Sequence, residues 1–134
     1  MTVQMELSRI LIREMNDYQI IELRELEGER TFPIVIGTPE AEAIRRRLQG
    51  DDIKRPQTHD LLANVIEEFG AKLNSITIND ISEHTFFAIL SVTDADGNDL
   101  DIDSRPSDAI ALGIAQQVPI YVEDHVLDQA QSEL

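Results

Sequence analysis

Residues 72–94 read KLNSITINDISEHTFFAILSVTD, and they decide the fold class. Two runs, KLNSITINDI (72–81) and TFFAILSVTD (85–94), carry apolar residues with β periodicity, rich in Ile, Thr, Phe and Val. Only Ser82, Glu83 and His84 separate them, so the pair is expected to form a hairpin.

Working outward, the same signature recurs. Val3 to Leu26 alternates in short β-rich groups broken at Met15-Asn16-Asp17, a second hairpin, and TFPIVIG (31–37) is a further short buried strand. Beyond the turn at Asp94–Asp99, LDID (100–103) returns as a strand, and VPIYV (118–122) is another. Strands arrive in clusters rather than in strict βαβ alternation. The expectation is an α+β fold: one compact domain over residues 1–134, with a mixed, largely antiparallel sheet packed with about three to four helices.

The helices have their own punctuation. Thr38-Pro39-Glu40 predicts a helix start with Thr38 as N-cap; the helix runs to about Leu48, and its narrow stripe of Ala41, Ile44 and Leu48 places it at the surface or at an interface. Thr58 is the expected cap of a second helix, whose Leu61, Leu62, Val65, Ile66 and Phe69 share a face that should pack on the sheet. A third starts at Pro106 and is apolar around most of its circumference, hence deeply buried. EDHVLDQAQSEL (123–134) is the terminal helix.

Composition limits the chemistry. The 134 residues contain no cysteine, which excludes disulfides, thiolate metal sites and a cysteine nucleophile. No signal-peptide core and no run of 18 apolar residues occurs, so the expectation is a soluble, cytoplasmic protein with no membrane contact. The net charge of -15 opposes long-range attraction of polyanions. Among residues 73–134, Arg105 is the only Lys or Arg, whereas Arg45, Arg46, Arg47, Lys54 and Arg55 cluster in one segment. That segment is the one plausible anion-facing surface, against the simpler reading of a solvated helix end. DADGND (94–99) departs from a calcium loop because Gly97 comes two places early and Arg105 stands where the closing glutamate belongs; a hairpin turn fits better.

Two stretches echo each other: RPQTHDLL (55–62) and RPSDAIAL (105–112). Helix starting explains the proline, hydroxyl and aspartate of each, but not Arg55, Arg105 or His59. In a chemical reading, two helix N-termini and the guanidinium groups of Arg55 and Arg105 bind phosphate, with Thr58 and Ser107 as further substrate contacts. Asp60 and Asp108 hold Mg²⁺ or Mn²⁺ or orient water, and His59 is the proton acceptor. In the structural reading the arginines merely pair with Asp60 and Asp108.

These motifs, with FPIVIGTPEAEAI (32–44), TFFAIL (85–90), DSRPSDAIALGIA (103–115) and VPIYV, resemble the bifunctional nuclease family over roughly Glu6 to Leu127. The resemblance implies an α+β domain, a homo-oligomer with a dimer favoured, and a nuclease acting on DNA or RNA; the acidity of residues 73–134 favours a short or single-stranded substrate over a duplex. It brings no established catalytic set. Arg55, Thr58, His59, Asp60, Arg105, Ser107 and Asp108 are its most distinctive polar positions in this chain, with Glu40 beside them. The alternative is a non-enzymatic binding or regulatory module that oligomerises and takes a small anion or a protein partner.

Overall fold

The computed structural model describes residues 1–132. Seven strands, β1 (Thr2–Leu11), β2 (Tyr18–Glu25), β3 (Thr31–Gly37), β4 (Lys72–Ser82), β5 (Thr85–Thr93), β6 (Asp99–Ser104) and β7 (Ile120–Glu123), form one sheet in the order β3-β2-β1-β7-β4-β5-β6. Every neighbouring pair is antiparallel except β4 and β7. The described helices are α1 (Thr38–Gln49), α2 (Thr58–Glu68), α3 (Pro106–Gly113) and α4 (Asp124–Ser132), with a 3₁₀ turn at Ile114–Gln116. The chain is therefore α+β with a mixed sheet. The β4–β5 hairpin closes through Glu83 and His84, both at positive φ, as the tight turn of a right-twisted hairpin demands.

Alternation along the strands builds the core. Ile21 and Leu23 of β2, Phe32 of β3, and Ile76 and Ile78 of β4 are fully buried on one face. The sheet coils strongly: four strands separate β3 from β5, yet the rings of Phe32 and Phe86 lie 5.5 Å apart. α3 lies within this curve, burying every residue from Pro106 to Gly113 except the partly exposed Asp108. A Cβ on Gly113 would meet Ile76 Cδ1 at 2.8 Å and Val118 Cβ at 3.2 Å, so the helix end can approach β4 this closely only with glycine there. The EDHVLDQAQSEL helix is observed from Asp124; Glu133 and Leu134 lie outside the described residues.

Two helix expectations exchange places. α1 is not a surface helix: Ala41 and Ile44 are completely buried, and α1 packs on α3. Full burial of a side chain such as Ile44 contributes about 1.5–3 kcal/mol. α2 instead has no buried residue, and Leu61 (56% exposed), Val65 (42%) and Phe69 (77%) look away from the protein while Ala63 and Ile66 turn inward. Neither threonine is a cap. β3 runs into α1 without a loop, so Gly37 takes the N-cap position and the Thr38 hydroxyl instead accepts from buried Gln19 at 3.2 Å. Gln57, not Thr58, is the N-cap of α2.

Candidate functional site

The twin motifs both start helices, but in different registers. Arg105 is itself the N-cap of α3, with Pro106 at the first helical position, whereas in α2 the cap is Gln57 and Pro56 precedes it. Both aspartates nevertheless fall at the third helical position, where a carboxylate lies in the positive field of a helix start.

Asp60 is enclosed. Its carboxylate accepts from the Gln57 backbone N–H at 2.9 Å, from Arg46 at 2.9 Å and from Arg47 Nη1. Arg47 is buried, and its remaining donors reach the carbonyls of Ala111 (2.5 Å) and Leu112 (2.9 Å) in the last turn of α3. One guanidinium thus joins the start of α2 to the end of α3, satisfying carbonyls that a helix terminus leaves unpaired. Burial raises the Asp60 carboxyl, but the Gln57 N–H and the two guanidinium groups outweigh it and hold the group below its ordinary value.

Asp108 is more open. Its Oδ1 lies 3.0 Å from His59 Nε2, and Arg105 donates to both oxygens at 2.8 and 3.1 Å. Arg105 also reaches Glu40 Oε1 at 3.3 Å from α1. Burial pushes the Asp108 carboxyl up; Arg105 and then His59 draw it below its usual range. An ionised carboxylate only accepts, so in this contact His59 Nε2 is the donor, and in the neutral ring Nδ1 is left as the acceptor. Of the five N–H donors of Arg105, three are used here, and its side chain is 63% exposed.

These groups line a cleft of about 280 Å³ where the starts of α1, α2 and α3 meet, with Glu40, Arg46, Thr58, His59, Arg105 and Asp108 among its walls. A larger groove of about 430 Å³ adjoins it and shares Glu40 and Arg105; Ser107 lines that groove rather than the cleft. The structure therefore brings His59, Asp108, Arg105, Glu40 and Thr58 together, sets Ser107 next door and puts Asp60 behind the wall. Arg55 is exposed and makes no ion pair among the described residues.

Most of the basic segment is tied up in internal ion pairs. Arg45 pairs with Glu42 at 2.8 Å, and Arg46 and Arg47 are consumed by Asp60, leaving Lys54 and Arg55 at the exposed end. The sequence reading missed Arg46 and Arg47 as parts of the site. The signal for Arg47 is its place three residues after Ile44, on the inward face of α1.

A bifunctional nuclease domain matches residues 21–134. The chain belongs to the bifunctional nuclease domain family. Every candidate residue lies within the matched span, whereas β1, which joins β2 to β7 in the sheet, precedes it. The chain is also similar to two mycobacterial proteins: Uncharacterized protein MT1877 of Mycobacterium tuberculosis (strain CDC 1551 / Oshkosh) and Uncharacterized protein Rv1829 of strain ATCC 25618 / H37Rv. Each is 40% identical over 121 residues, spanning 90% of this chain and 71% of the relative. Family membership suggests nuclease-like chemistry and contact with nucleic acid. No described helix is long and apolar enough to cross a membrane.

Proposed function

We propose that this bifunctional nuclease family member is a phosphodiester hydrolase acting on short or single-stranded DNA or RNA, with the cleft at the three helix starts as its centre. The observation that carries the reading is the chain of contacts His59–Asp108–Arg105–Glu40, which leaves an imidazole acceptor and two guanidinium donors available at an open cleft. Asp108 positions the ring. His59 Nδ1 takes the proton of an attacking water as its oxygen bonds to phosphorus, and the proton then passes to the departing oxygen as the old P–O bond breaks. Arg105, with Thr58 nearby, neutralises the phosphoryl oxygens.

Mg²⁺ or Mn²⁺ held jointly by Asp60 and Asp108 does not fit this donor set. Each carboxylate is turned onto guanidinium groups, Asp60 does not line the cleft, and among the described residues no three His, Asp or Glu side chains are placed to hold a metal ion. No step is therefore routed through a metal. The test is hydrolysis of short labelled single-stranded RNA and DNA, with Mg²⁺, Mn²⁺ or EDTA, by wild type and His59→Gln purified identically. The reading expects wild-type activity that falls on His59→Gln by about 100-fold, the lower end of what a positioned base contributes. Equal trace activity in both proteins would reject it.

A second reading, a non-enzymatic module, draws on a different feature. The outward stripe of Leu61, Val65 and Phe69 on α2 is an apolar surface of the kind that marks association sites, and it suits a homodimer whichever chemistry holds. Light scattering of Phe69→Glu against wild type tests the contact: a dimer through α2 becomes a monomer, whereas an unchanged mass removes α2 from the contact. The cysteine-free chain needs no oxidising compartment, which agrees with a cytoplasmic location.

A further inference from the structure

The groove beside the cleft has features that phosphate chemistry does not use. Pro33 and Val35 of β3 form one wall, and Phe86 with the β4–β5 hairpin tip forms the other. Ser107 lies at its end, and the residue is 5% exposed. His84 and Thr85 of the hairpin tip lie opposite.

The backbone of β3 adds a specific pattern. β3 is a sheet edge, and Gln131 donates to the Thr31 carbonyl from outside the sheet. Thr31 main-chain groups therefore point away from β2, and antiparallel alternation turns those of Pro33 and Val35 the same way. Val35 thus offers one N–H and one C=O, side by side, to the groove. An extended peptide adding as a strand would need donors at alternate residues, and Pro33 has none. A planar heterocycle with an adjacent donor and acceptor needs only one such pair.

We propose that this groove is the pocket for an unpaired nucleobase: its hydrogen-bonding edge meets Val35 N–H and C=O, Pro33 and Phe86 give it apolar contacts, and Ser107 Oγ bonds a remaining polar atom. The volume of about 430 Å³ lies in the range of small-ligand sites, roughly 300–1,000 Å³. Arg105, common to groove and cleft, then holds the attached phosphate. The assignment rests on the nuclease reading for the direction of that phosphate. It selects single-stranded substrate because base pairing would occupy the edge that Val35 reads.

The test uses the full chain and nucleoside 5′-monophosphates, nucleosides and inorganic phosphate as probes, followed by amide chemical shifts and calorimetry. Wild type is expected to bind a monophosphate more tightly than phosphate, with shifts at Val35 and Ser107. Ser107→Ala, which removes one small polar group, and Val35→Pro, which removes one outward N–H at an edge that already carries proline, should each weaken that binding about tenfold. Monophosphates binding no better than phosphate, or equally to wild type and both variants, would overturn the pocket. Loss of hydrolysis with base binding intact would reject only the nuclease reading.

Discussion

The starts of α2 and α3 carry nearly the same residues and do different things. Each puts an aspartate at the third helical position beside arginine, but Asp60 is gripped by two guanidinium groups and a backbone N–H, with 15% of its side chain exposed. Asp108 shares a guanidinium that is 63% exposed and turns its other contact to a histidine in the cleft. The difference lies in where the arginines come from. Asp60 receives its cations from α1, thirteen and fourteen residues earlier, so the pair staples helices together. Asp108 receives its cation from its own cap, and that cation stays at the surface. One motif became architecture, and the other kept open faces that chemistry can use.

The largest effect that separates them concerns stability. Asp60→Ala leaves the buried Arg47 without its carboxylate, and removing one partner of such a pair is expected to lower the unfolding free energy by about 3 kcal/mol or more, read by urea denaturation. Asp108→Ala breaks a more exposed pair and should cost about 1 kcal/mol or less. Equal losses would erase the distinction between the two starts.

Acid sharpens it. Because the folded Asp60 carboxyl lies below its ordinary value, it contributes stability that is fully present above the unfolded value of about 3.9 and is lost as pH falls through the lower folded value. Asp108 shifts in the same direction. The slope of stability against pH below about 4 should therefore flatten in Asp60→Ala relative to wild type. An unaltered slope would mean that the Asp60 contacts do not discriminate between its charge states.

The smallest effect concerns the caps. With Gln57 as the N-cap of α2 and Thr58 exposed beyond it, Thr58→Ala should change stability by less than about 0.5 kcal/mol, whereas loss of a true hydroxyl cap typically costs about 1 kcal/mol.

Much of this architecture was legible in the chain. The alternation in residues 72–94, the break at Met15-Asn16-Asp17 and the apolar circumference of the helix starting at Pro106 foretold the two hairpins and the buried α3. Local signals failed where distant atoms decide. Thr38 and Thr58 look like caps by neighbourhood, yet the first is drawn to Gln19 and the second follows a glutamine that takes the position. The amphipathic face of α2 was legible, but not that the monomer leaves it uncovered, since periodicity gives a face and not its partner. His59 and Asp108 are forty-nine residues apart, and no spacing rule joins them. Whether an arginine clamps phosphate or locks a carboxylate is likewise set by tertiary contact, which is why Arg45, Arg46 and Arg47 read as a surface while two of them are internal ties.

The most direct measurement compares kcat/KM for short single-stranded RNA and DNA in wild type, Asp108→Asn and Asp60→Asn, each verified as folded at the assay temperature. A catalytic α3 start and a structural α2 start predict a fall of at least about 100-fold for Asp108→Asn, near 2.7 kcal/mol of transition-state stabilisation. Asp60→Asn should stay within about tenfold of wild type, with its main effect on the unfolding midpoint. Activity that collapses in Asp60→Asn but persists in Asp108→Asn would contradict the account.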